Sequence, residues 1–297
     1  MSWFFGLHNY SKPGRGVSKD EPPKTGISLY FDILLRRVWN IITLNFIYIV
    51  FSIPAIVISF FLSTYMAAWV ASIVGIDLSG EFGSTVNLIG LFATVVLIHI
   101  CGSGPASAAM TYVLRKYVND THAWVWSDFI DNIKSNFRQG LVVYVINILV
   151  TTAFVIGYTF YTHIMSGPIA FVLKGFITSL ALIFALMQMY VYQLMAGFQL
   201  SVEKIYKYAA ILTVMKLPQN ILFGMVSVGV MYVVYLLFMS YPPSAIIILL
   251  TLFYSIITFT QIFMTNNIVK NHINTSSKTK NVRAENYVEL DFKDSTR

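Results

Sequence analysis

Residues 41–65 read IITLNFIYIVFSIPAIVISFFLSTY, a stretch with no charged side chain. About 20 apolar residues in a helix cross the roughly 30 Å hydrocarbon core of a bilayer, so this stretch alone reads as a transmembrane span. Five more stretches share its character, at residues 87–111, 141–163, 176–197, 221–240 and 244–268. None of the six contains Asp, Glu, Lys or Arg. The fold class that follows is all-α, a polytopic transmembrane helical bundle of about six spans with short cytoplasmic amphipathic helices. Pro54 lies inside the first stretch, where a missing backbone donor predicts a kink. Apolar character continues to Val74, which leaves the end of that span open.

The segments between the spans alternate in charge. Nineteen of the twenty lysines and arginines fall in the N-terminal arm, in 115–140, in 198–220 and in the tail; the other connections hold only Lys174. Basic residues stay on the cytoplasmic side during insertion, so both termini and two loops are expected there. Apolar residues make up 57% of the chain and charged residues 11%, a balance that excludes a soluble domain. The net charge of +7 does not indicate a nucleic-acid partner. Its basic residues sit at span ends rather than on one face, and anionic lipid explains them better.

The sequence divides into an arm with an interfacial helix (1–40), a transmembrane domain (41–270) and a polar tail (271–297). The arm lacks the apolar core of a cleaved signal peptide. Within it, ISLYFDILLRRVWN (27–40) places apolar residues at helical spacing, with Asp32, Arg36 and Arg37 elsewhere, as in a helix lying in the membrane interface.

Two further stretches stand out. GSGPASAA (102–109) ends the second span with small residues and a proline. Gly102, Gly104 and Pro105 have two readings: close packing of helix backbones, or a broken helix whose freed amides face a ligand. After Trp124 and Trp126 comes an amphipathic segment with Ser127 as its expected N-cap, Asp128 and Asp131 near its positive end and Arg138 near its negative end. Phe129, Ile130, Ile133 and Phe137 share a face, so Trp126, Phe129, Ile133 and Phe137 form a candidate docking surface for a partner.

The chemistry that the sequence lacks is also informative. Cys101 is the single cysteine, so no internal disulfide forms and no cysteine-based metal site assembles. No HExxH, Walker motif or GxGxxG occurs, and no intramembrane carboxylates are available for proton or sodium coupling. His99 near Cys101 lacks the further ligands a metal needs and reads as a packing histidine. Asn147, Gln188 and Gln193 read as hydrogen-bonding glue between helices, with pore lining as the lesser alternative. No catalytic residue, metal or cofactor is expected.

The chain resembles the YesL-like family of bacterial integral membrane proteins, catalogued as domain of unknown function 624. The resemblance rests on Lys12-Pro13-Gly14, Gly16-Val17 and Lys19-Asp20, then Gly104-Pro105-Ala106 and Tyr112-Val113-Leu114-Arg115. It continues through Trp126-Ser127-Asp128-Phe129, Asn136-Phe137-Arg138-Gln139 and Leu217-Pro218-Gln219-Asn220. It covers residues 1–225 and departs in the stretch before Gly104 and in the long tail. It implies a helical protein of the bacterial plasma membrane, in a family often encoded beside carbohydrate ABC importers. The expected role is therefore a non-catalytic accessory component of such an importer, in contact with its permease subunits. A stand-alone facilitator or channel for a neutral solute is the alternative. The segment 198–220 is too short, and lacks the glycine, to be the permease loop that contacts an ATPase.

Overall fold

The structure, a computed structural model, describes residues 25–75, 81–163, 165–266 and 268–269. Among these residues every regular element is helical. The chain divides into two units at Arg36 and Arg37. In the first, α1 spans Gly26–Arg36, and Ile27, Phe31 and Leu35 form an exposed apolar stripe along it. That stripe fits a helix lying in a lipid interface. The polar segment 1–24 and the tail from 270 lie outside the described residues.

The second unit holds α2 (Val38–Val74), α3 (Glu81–Cys101), α4 (Pro105–Val118), α5 (Val125–His163), α6 (Pro168–Gly197), α7 (Val202–Met215), α8 (Leu217–Ser240) and α9 (Pro242–Ile248). A π-helical stretch, Leu249–Phe253, joins α9 to α10 (254–266). Five helices are long and apolar enough to cross a membrane, and α3 with α4 make a sixth if their bent pair counts as one span. These helices make the protein a multi-pass helical membrane protein.

Several boundaries differ from the sequence reading, each for a local reason. The first span is one helix of 37 residues that runs through Pro54 to Val74. At 1.5 Å per residue it is about 55 Å long, well beyond a bilayer core. The amphipathic segment before the third span is not a separate helix, because it continues unbroken into the 39 residues of α5. Ser127 is not the N-cap. The helix begins at Val125, and the Asp128 carboxylate reaches back to accept the Trp124 N–H at 2.9 Å. The negative charge therefore sits in the first turn as the helix dipole favours. The fourth span begins at Pro168 rather than 176 and takes in Lys174.

The second span departs furthest. It is two helices meeting at 63° across residues 102–104. α4 folds back along the first turns of α5, with Lys116 Nζ 2.8 Å from Asp128 Oδ2 at one end of the pair. At the other end, a Cβ on Gly140 would lie 2.7 Å from Pro105 N, so the backbones touch. Charge on α5 ends at Arg138. The break therefore lies level with the point where α5 changes from charged to apolar sequence.

Polar side chains tie the remaining helices together. Ser63 Oγ donates to Gly90 O at 2.8 Å, joining α2 to α3. Tyr190 donates to Asn220 Oδ1 at 2.7 Å, joining α6 to α8, and Asn266 Nδ2 donates to Asn119 Oδ1 at 2.7 Å, joining α10 to the end of α4. Asn45, fully buried on α2, serves the π-helical stretch. Its Nδ2 donates to Leu249 O at 3.0 Å and Leu250 O at 2.7 Å, and its Oδ1 accepts the Ser255 N–H at 3.0 Å. The wider π turn displaces backbone groups from their usual partners, and one amide compensates in both directions.

Candidate functional site

The break between α3 and α4 follows from its residues. Gly102 and Gly104 both have φ of 70°, in the left-handed region that side chains rarely adopt. A Cβ on Gly102 would also strike the Tyr192 ring. In an unbroken helix the Cys101 carbonyl would accept the N–H of residue 105, but that residue is proline and has none. Two side chains supply the missing donors: Asn147 Nδ2 donates to Cys101 O at 2.8 Å, and the Tyr192 hydroxyl donates to the same oxygen. Tyr206 of α7 donates to Asn147 Oδ1 at 2.7 Å, which fixes the amide's orientation.

On the other side of the break, Ser52 of α2 donates to Ser103 Oγ at 2.7 Å. The Ser103 N–H donates to Ser107 Oγ at 2.8 Å, and the Tyr48 hydroxyl lies 3.2 Å from that oxygen. Side chains from α2, α5, α6 and α7 thus converge on one interruption. The helix is thus broken at Gly102, Gly104 and Pro105 and the small residues let the backbones of α4 and α5 touch, while the Ser103 N–H and the Cys101 carbonyl are taken by side chains of the protein.

A cavity of about 760 Å³ adjoins the break. Gly102, Ser107 and His99 line it at the break, α6 and α8 form its long walls, and Tyr254 and Gln261 of α10 contribute from behind. Its lining among the described residues contains no Asp, Glu, Lys or Arg. His99 sits beside Phe253, with ring centroids 6.1 Å apart. The volume lies within the range of small-molecule sites.

Three polar residues read in the sequence as interhelical glue have different fates. Asn147 holds the break. Gln193 Nε2 donates to Thr265 Oγ1 at 2.6 Å and so joins α6 to α10. Gln188 does neither. It is only 5% exposed, lines the cavity, and neither its Oε1 nor its Nε2 has a hydrogen-bond partner among the described residues. Ser227, on the facing wall from α8, is 8% exposed and its hydroxyl is likewise unpartnered. An unpaired buried polar group costs about 1–3 kcal/mol, so two of them facing one cavity is unusual for packing alone. Nothing in the sequence distinguishes Gln188 from Gln193, five residues along the same helix. Ser227 carries no signal at all, because only the packing of α8 brings it to this wall.

The candidate docking surface on α5 is divided by the fold. Phe129 is 0% exposed and packs 5.6 Å from the Phe51 ring, which removes it from any surface. Trp126 and Phe137 are 62% and 53% exposed, and Ile133 between them is partly covered. A second, polar cleft of about 810 Å³ lies nearby, bordered by Asp131, Asn132, Asn136 and Gln139 of α5 and by the end of α6.

The fold and site together define a multi-pass integral membrane protein with a broken helix beside a cavity whose described lining carries no charge. Residues 84–158 match the family described as protein of unknown function, DUF624. Over that stretch, which holds the break, α4 and most of α5, the match bears out the resemblance read from the sequence. Neither a curated protein nor a solved structure matches the chain.

Proposed function

We propose that this is a non-catalytic integral membrane protein that works by binding an uncharged ligand in the cavity beside the α3–α4 break. The observation that carries this reading is Gln188, a buried amide with no partner among the described residues, facing a cavity whose described lining holds no charge. A ligand that both donates and accepts hydrogen bonds would satisfy it. The thermal midpoint of the purified protein, titrated with a panel of neutral solutes and amphiphiles, tests the reading. A saturable rise with at least one compound is expected, because a ligand that binds only the folded state stabilises it. No rise with any compound would refute it. Facilitated passage of a neutral solute is a narrower form of this reading, and flux into liposomes holding the protein alone tests that form.

A second reading, an accessory component of a carbohydrate ABC importer, draws on the family resemblance and on the exposed Trp126 and Phe137. Large exposed aromatic residues are the commonest anchors of protein interfaces. Replacing both by Ser should abolish co-purification of importer permeases from native membranes while the protein still inserts; unchanged co-purification would reject docking through this face. In either role we propose a bacterial plasma membrane, which the family resemblance supports, and cytoplasmic termini, which the basic-residue distribution supports.

A further inference from the structure

The cavity beside the break has three properties that together narrow its ligand. The first is where it opens. Leu182 and Ile183 of α6 and Met225 and Val228 of α8 line it and are also exposed. Both helices are long apolar candidates for crossing the membrane, so a mouth between them faces lipid chains rather than water. The second is the position of the unpaired polar groups. Gln188 lies one helical turn from Tyr192, which holds the Cys101 carbonyl at the break. The break in turn is level with Gly140, just past the last charge of α5 at Arg138. The unpaired amide therefore lies about one helical turn further into the apolar sequence than the break.

The third property is a lining that is mostly apolar. Ser107, Tyr192, Gln193 and Gln261 also line the cavity, and each already makes a hydrogen bond within the protein; His99, Thr111, Tyr254 and Thr258 add to its polar lining. Gln188 and Ser227 are the two lining side chains with buried polar atoms that lack partners among the described residues. A sugar has a hydroxyl on nearly every carbon, and a lining that is mostly apolar leaves several of them without a partner, at a cost of about 1–3 kcal/mol each. A charged head group would meet no counter-charge in the lining, and an unpaired buried charge is costlier still.

We propose that the cavity binds a neutral lipid with an alcohol head group, of the monoacylglycerol kind. Its hydroxyls bond to Gln188 and Ser227, and its chain leaves between α6 and α8 into the bilayer. This rests on the binding reading above and adds the class and source of the ligand. The head contacts one amide and one hydroxyl, each able to donate and accept. The chain lies along Leu182, Ile183, Met225 and Val228.

The test uses the full chain in dioleoylphosphatidylcholine vesicles and a monoacylglycerol carrying a photoactivatable diazirine in mid-chain. On illumination, crosslinks are expected on α6 between Ser179 and Gln193 and on α8 between Leu217 and Met231. They should saturate with probe and be displaced by unlabelled monoolein but not by equal oleate. The variant Gln188→Leu/Ser227→Ala should lose labelling by about tenfold or more, as expected when one or two hydrogen bonds to a ligand disappear. Ser227→Ala alone gives a second, milder variant with the least change in packing. Undiminished labelling of both variants, or displacement by oleate as strong as by monoolein, would overturn the proposal. Displacement by maltose and not by monoolein would overturn the lipid assignment and leave cavity binding standing. Labelling scattered over all helices and not displaced by any competitor would overturn both.

Discussion

The Asn147 side-chain amide donates to the Cys101 carbonyl at 2.8 Å, in place of the N–H that Pro105 cannot provide. Proline thus sets the break and asparagine stabilises it, from a helix 46 residues away in sequence. Tyr192 shares the load at the same oxygen, and Tyr206 keeps the Asn147 amide in register. A network built this way predicts coupled rather than additive effects.

Asn147→Leu and Tyr192→Phe should each lower the stability of the detergent-purified protein by about 1 kcal/mol, the usual scale for polar contacts between membrane helices. Because both serve one carbonyl, the double variant should depart from the sum of the two, as groups in one hydrogen-bond network do. Thermal midpoints of the four proteins measure this. Strict additivity would show that the two donors act independently.

Gly140 is a sharper test of the packing at the break. A Cβ there would lie 2.7 Å from Pro105 N and 2.8 Å from its Cα, backbone atoms that cannot swing aside. Gly140→Ala should destabilise by about 1–3 kcal/mol, as overpacking of a tight contact does. Gly229 lies mid-helix in α8 with nothing within 4 Å of a Cβ, so Gly229→Ala should be neutral or stabilising by up to about 1 kcal/mol from helix propensity. Equal effects at the two positions would mean that α4 and α5 do not pack as described.

Gln188 makes an opposite prediction from most buried polar residues. Its amide has no partner among the described residues, so Gln188→Leu should raise the thermal midpoint of the ligand-free protein, recovering part of the roughly 1–3 kcal/mol that an unsatisfied buried group costs. Gln193→Leu, which removes the bond to Thr265, should lower it. If both substitutions destabilise alike, Gln188 has a partner in solution and is packing glue after all.

The two faces of the α5 amphipathic segment should separate stability from interaction. Phe129→Ser opens a hole in a fully buried position beside Phe51 and should cost about 3–5 kcal/mol, the range for losing a core phenylalanine. Trp126→Ser should leave the folded yield and the midpoint nearly unchanged, since that side chain is mostly exposed. Gel filtration and thermal melts of the two variants read this directly.

Asn45→Ala leaves two backbone carbonyls and the Ser255 N–H of the π-helical stretch without their side-chain partner. We expect either a loss of about 1–3 kcal/mol or a return of this stretch to α-helical register, since removing one amide strands three buried backbone groups. Hydrogen exchange at residues 249–255 distinguishes an intact stretch from one that opens, and protection unchanged from the parent would show that Asn45 is not needed there.

Much of this architecture was legible in the order of residues. The existence and order of the apolar stretches follow from the cost of placing charge and unpaired backbone in hydrocarbon, a cost paid locally at each position. The Gly-Ser-Gly-Pro run announced a special backbone for the same reason, because proline and glycine act on their own residues. The length of α5 was not legible. The amphipathic segment and the span read as separate because polarity changes between them, yet nothing in the backbone interrupts the helix.

What only the tertiary structure decided is which polar side chains are spoken for. Asn147, Gln188 and Gln193 look alike in sequence, three amides in apolar helices. One completes a broken helix, one ties α6 to α10, and one is left facing a cavity with Ser227, supplied from a different helix. Hydrogen-bond satisfaction belongs to a pair of groups, and the partners here lie tens of residues apart, so it is fixed by helix packing and not by any residue's own chemistry.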